Sequence, residues 1–106
     1  MDAKLPKRRY SRIKLAGGMP IAWESDGRRV VSRATTIGLG GFVIATSQPL
    51  PVGSVLKLFF DSAGGSVRAR GIVRDSKPGE GMGVEFILMS PEGRAHLQQL
   101  LKRLMG

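Results

Sequence analysis

The chain has no cysteine and a single histidine, His96. The first absence excludes disulfide frameworks, thiolate zinc sites and cysteine nucleophiles, and the second excludes histidine-rich metal sites. Stability must therefore come from packing. Acids are scarce as well, with 8 Asp and Glu against 17 Lys and Arg and a formal charge of +9. Those present, such as Asp26, Asp61, Glu80 and Glu85, are scattered, several beside glycine or at strand ends, where turn formation and solubility account for them. The segment Gly38-Leu39-Gly40-Gly41 lacks the lysine and hydroxyl of a phosphate-binding P-loop. No catalytic constellation emerges, and the expectation is a binding module, not an enzyme. No apolar run approaches the roughly 20 residues that span a bilayer, and residues 1–7 lack the apolar stretch of a signal peptide, so the expected location is the cytoplasm.

What is present is a chain of 106 residues, 42% hydrophobic and 24% charged, long enough for one domain with one core and too apolar for disorder. The excess positive charge predicts an anionic partner, and its position says more than its total. Lys4, Lys7, Arg8, Arg9, Arg12 and Lys14 crowd the start of the chain, where Asp2 is the only acid. Residues 1–14 read as a basic arm: they lack helical apolar spacing, Pro6 discourages regular structure, and a partner is needed to order them.

Residues 15–106 read as the folded domain. Stretches 19–24 and 28–37 flank Ser25-Asp26-Gly27, and Asp-Gly between extended runs predicts a tight hairpin because both central residues tolerate positive φ. Short strands follow over 42–46, 55–61, 66–76 and 81–87, separated by glycine- and proline-rich turns. In the third of these runs, Val67, Ala69, Gly71 and Val73 share one face and Arg68, Arg70 and Arg74 the other, so one side is core and the other basic and wet. The chain ends in a helix. Ser90-Pro91 supplies a capping hydroxyl and a first-turn proline, and Leu97, Leu100, Leu101 and Leu104 form a stripe that must dock on the domain or on another chain. About six antiparallel strands and one helix at this length favour a mainly β fold, a small barrel over a sandwich. His96 beside that stripe reads as a structural or surface residue.

The run Arg8-Arg9-Tyr10-Ser11-Arg12 concentrates planar donors on a short segment. Guanidinium forks pair with guanine O6 and N7, bond phosphate oxygens and stack on base faces, so a guanine nucleotide offers targets for all three modes.

These residues resemble the PilZ domain family along nearly the whole chain. Arg8-x-x-x-Arg12 fits the family's RxxxR element, and the turn from Thr36 to Gly41 stands where its second element, (Asp/Asn)-x-Ser-x-x-Gly, is expected. The stretch Gly81-Met82-Gly83-Val84-Glu85-Phe86 and the helix start Ser90-Pro91-Glu92 agree as well. The resemblance implies a bacterial six-stranded antiparallel barrel with a C-terminal helix that binds cyclic di-GMP in second-messenger signalling and acts on a downstream protein partner. It implies ligand contacts from Arg8, Arg9 and Arg12 and, in the second element, from Thr36, Gly38 and Gly41. Lys7, just before RxxxR, is implied to influence whether one ligand or a stacked pair is held, while Arg68, Arg70 and Arg74 are accessory candidates for extending the anionic surface. No metal or further cofactor is expected.

The second element departs from the family pattern. Thr36 stands in place of the acid or amide and Gly38 in place of the serine, with Gly41 alone keeping its residue. A carboxylate on the guanine N1 and N2 donors is worth about 1.5–3 kcal/mol, so its loss costs roughly 10- to 150-fold in affinity. A divergent adaptor that works through protein contacts without the nucleotide is therefore the alternative. General nucleic-acid binding by a basic barrel is a weaker third reading.

Overall fold

The computed structural model of the protein describes residues 12–62 and 64–105. At the first hairpin, Asp26 and Gly27 take φ of 52° and 77°, the pair of positive angles that an Asp-Gly turn requires. This turn joins β1 (Arg12–Ser25) to β2 (Arg28–Gly38). Then follow β3 (Gly41–Ala45), β4 (Val55–Ser62), β5 (Gly65–Lys77), β6 (Gly81–Met89) and the helix α1 (Pro91–Met105). The strands pair antiparallel in the order β1-β2-β3-β6-β5-β4 and close through β1 and β4 into a barrel, which is the architecture read from the sequence.

β1 begins at Arg12, inside the stretch 1–14 read above as arm. Ile13 and Leu15 are half-buried against the core while Arg12 and Lys14 are exposed, so the period of a strand already runs through this basic segment. Gly17 and Gly18, with φ of 78° and 77°, then interrupt it, and the pairing with β2 jumps from Lys14↔Thr36 to Met19↔Ala34. The bulge hides the alternation from a linear reading.

Inward-facing partners line up across the sheet. Ile37 on β2, Phe42 on β3, Val84 on β6 and Val73 on β5 form one continuous buried row, and Ala34, Ile44 and Met82 form the next. Phe42 meets Phe60 and Phe86 edge-on, with centroids 5.6 and 5.2 Å apart. Among the described residues no polar or charged residue is buried in this core. The indole N–H of Trp23 donates to Ser32 Oγ at 3.0 Å, which meets that ring's polar requirement.

The helix starts as expected: Ser90 Oγ accepts from the backbone N–H of Gly93 at 2.9 Å, with Pro91 in the first helical position. It packs on β5, β4 and β1, burying Leu97 and Leu101. His96 rests over the β4–β5 turn, so close that a side chain at Gly65 would meet its ring at 2.9 Å. Leu104 is 40% exposed, so the leucine stripe outruns the barrel by about a turn. Among the described residues no helix is long and apolar enough to cross a membrane.

Leu97 is fully buried and couples the helix to the barrel. Leu97→Ala is expected to lower the unfolding free energy by about 2–5 kcal/mol, read as a shift in urea midpoint at unchanged slope.

Candidate functional site

Outward-facing partners line up as the inward ones do, and on one side of the barrel they are small. Arg12 pairs with Gly38, Gly38 with Gly41, and Gly41 with Glu85. The next outward row runs Lys14, Thr36, Val43, Gly83 and Asp75, and a third joins Ala45, Gly81 and Lys77. Apart from Lys14 and Thr36, these rows floor a cleft of about 880 Å³ across β2, β3, β6 and β5.

Two of the floor glycines are demanded by backbone approach. A Cβ on Gly41 would run into the Val84 carbonyl, and one on Gly81 into the Ile44 carbonyl. Gly83 is different, because a Cβ there meets only the Asp75 Cβ at 3.6 Å. The β2–β3 turn is as tight as it can be, with Gly38 and Gly41 paired across Leu39 and Gly40.

The charged side chains lining this floor are Arg12, Arg74 and Lys77 against Asp75, Glu80 and Glu85. Their formal charges cancel, so the described part of the cleft has no strong preference for an anion. Arg74 Nε and Glu85 Oε1 are 2.6 Å apart, with side chains 62% and 50% exposed. An ion pair so open to water contributes little to stability.

Of the residues singled out in the sequence, Arg12, Gly38 and Gly41 come together on this floor. Thr36 is half-buried between Lys14 and Val43 and does not line the cleft; its neighbour Thr35 does. The cause is a bulge: pairing of β2 with β3 skips from Ala34 to Thr36 and leaves Thr35 as the extra, exposed residue. Lys7, Arg8 and Arg9 lie outside the described residues. Arg68 and Arg70 project from the other end of β5, beside Phe59 and Lys57 respectively, away from the cleft. Arg74, six positions after Arg68, is about 20 Å further along the strand and reaches the cleft alone of the three. Thr35 and Glu85 are cleft residues that the sequence reading does not single out as site residues. The alternation Gly81, Gly83, Glu85 on one strand face is the signal that leads to the last of them. Among the described residues no group of acids and histidine is placed to hold a metal ion.

Residues 6–103 match the PilZ domain family. No curated protein matches the chain. Among solved structures, the PilZ domain of YcgR from Escherichia coli, solved with c-di-GMP, superposes with a TM-score of 0.72 at 19% identity, covering 93% of this chain and 92% of that one. The inhibitor of motility MotI/DgrA of Bacillus subtilis gives 0.75 at 15% identity over 92% of this chain, and the K. pneumonia MrkH–c-di-GMP complex 0.74 at 16% over 92%. The chain spans only 51% of the former and 52% of the latter. At such identities the likeness is one of fold.

The two kinds of floor glycine separate in mutation. Gly41→Ala is expected to cost about 1–3 kcal/mol in urea unfolding, because the strands must part to admit the methyl. Gly83→Ala, which meets only ordinary contacts, is expected to stay within about 0.5 kcal/mol of the parent.

Proposed function

The chain belongs to the PilZ domain family, and from that membership we propose that it is a receptor module for cyclic di-GMP, acting by binding rather than by catalysis. The observation that carries this reading is the pairing of Arg12, the second arginine of RxxxR, with Gly38, on the same floor as Gly41. One arginine of the first element and the backbone of the second thus face a single cleft whose floor beside Arg12 is bare glycine. A purine ring can lie flat there while its phosphodiester meets the Arg12 guanidinium.

The charges lining the floor cancel, so attraction for a dianionic ligand falls to the segment just ahead of it. Arg8 and Arg9 precede Arg12 by four and three positions, which keeps the Arg8 backbone within about 14 Å of Arg12. Their guanidiniums take guanine O6 and N7 or the phosphates. Supporting this reading, the YcgR domain and MrkH, which share the fold, were solved with c-di-GMP. Occupation of the cleft then alters the surface offered to a downstream protein, the route by which a binding module without catalytic groups passes on a signal.

A second reading is favoured by Thr36 and Gly38, which lack the carboxylate and hydroxyl of the family's second element. In it the domain is an adaptor that has lost the nucleotide and keeps the protein contact.

Calorimetric titration separates the two. Cyclic di-GMP is expected to give saturable heat where GTP gives none, and Arg8→Ala and Arg12→Ala each to weaken binding about 10- to 150-fold, the value of a charge-assisted hydrogen bond. No heat at high micromolar ligand gives the adaptor reading the field, whereas arginine variants that bind as well as the parent overturn the arginine site.

A further inference from the structure

Guanine carries hydrogen-bond donors at N1 and N2 beside acceptors at O6 and N7. A site that reads its edge must therefore present an acceptor and a donor side by side. β2 does not supply a charged acceptor: Thr36 has no carboxylate and is absent from the cleft wall, Gly38 has no side chain, and Thr35 offers only a neutral hydroxyl. β6 does. Glu85 occupies the far end of the row that starts at Arg12, with only Gly38 and Gly41 between them.

Three strand spacings, about 14 Å along the sheet, separate the Arg12 and Glu85 backbones. The floor between carries no side chain. Of the other carboxylates on the cleft, Asp75 lies in the next row, beyond Val43 and Gly83, and Glu80 lies in the β5–β6 turn. Glu85 also has the donor it needs at hand, since Arg74 Nε is 2.6 Å from its Oε1. Because that pair is exposed and contributes little by itself, an incoming base can part it at small cost.

We propose that Arg74 and Glu85 together read one guanine of the ligand, Glu85 accepting from N1 and N2 while Arg74 donates to O6. The assignment rests on the ligand proposed above and moves the guanine-reading carboxylate from β2 to β6. It also sets base preference, because adenine presents a donor at N6 where guanine has the O6 acceptor. An adenine there meets Arg74 donor to donor.

The test is a ratio. The full chain and its Glu85→Ala variant are titrated calorimetrically with cyclic di-GMP and with cyclic di-inosine monophosphate, whose base lacks the N2 amino group. The parent is expected to bind the guanine ligand about 10- to 150-fold more tightly than the inosine one, and Glu85→Ala to bind the two within about twofold. Removing Glu85 also makes the cleft more positive, but both ligands carry the same charge, so this effect cancels in the ratio. A Glu85→Ala variant that keeps the parent's preference overturns the assignment, as does an Asp75→Asn variant that loses it while Glu85→Ala does not. Parent protein that gives no saturable heat with cyclic di-GMP removes the ligand itself, an outcome distinct from a bound ligand with an unchanged ratio.

Discussion

A short seam closes the barrel. Residues 22–24 of β1 pair with Phe59, Leu58 and Lys57 of β4 while still paired with β2 on their other side. Without that seam β1 and β4 are the two edges of an open sheet, with a row of backbone groups left to water or to another chain. Trp23 sits in the seam, 4% exposed. The same strand runs on toward its N-terminal end, past the Gly17–Gly18 bulge, to residues 12–14, where it pairs with β2. One strand thus both closes the core and delivers Arg12 to the cleft, and the position of the arginine depends on the closure.

The period of two divides the labour between the faces of each strand. Ile37, Phe42, Val84 and Val73 fill the interior, while their outward neighbours Gly38, Gly41 and Gly83 leave the surface bare. Glycine weakens an isolated strand, since it packs nothing and orders at high entropic cost. Here the packed interior row offsets that weakness. Backbone approach at Gly41 and Gly81 makes the bareness obligatory, so the smooth floor follows from how closely β3 and β6 lie as much as from any ligand.

Most strands were legible because their signals are local. Asp26-Gly27 marked the first turn, the alternation from Val67 to Val73 marked β5, and Ser90-Pro91 with four spaced leucines marked the helix. The start of β1 was not legible, because two glycines break its period and its exposed face is basic enough to read as a tail. Thr36 was read as a site residue from its place in a motif, and the Thr35 bulge moved its neighbour onto the cleft instead. Arg68, Arg70 and Arg74 looked like one group in sequence. A 13-residue strand curving around a barrel carries its two ends to different faces, so only Arg74 reaches the floor.

Sequence by itself determined what depends on near neighbours: strand period, turn chemistry, the helix cap, and the clustering of cationic side chains at the start of the chain. Only tertiary structure decided which residues from distant strands meet, because strand register and bulges are set by pairing across the sheet and leave no trace at either residue alone. The row from Arg12 through Gly38 and Gly41 to Glu85 spans four strands and more than 70 residues of chain, and it exists because the barrel closes around one buried core.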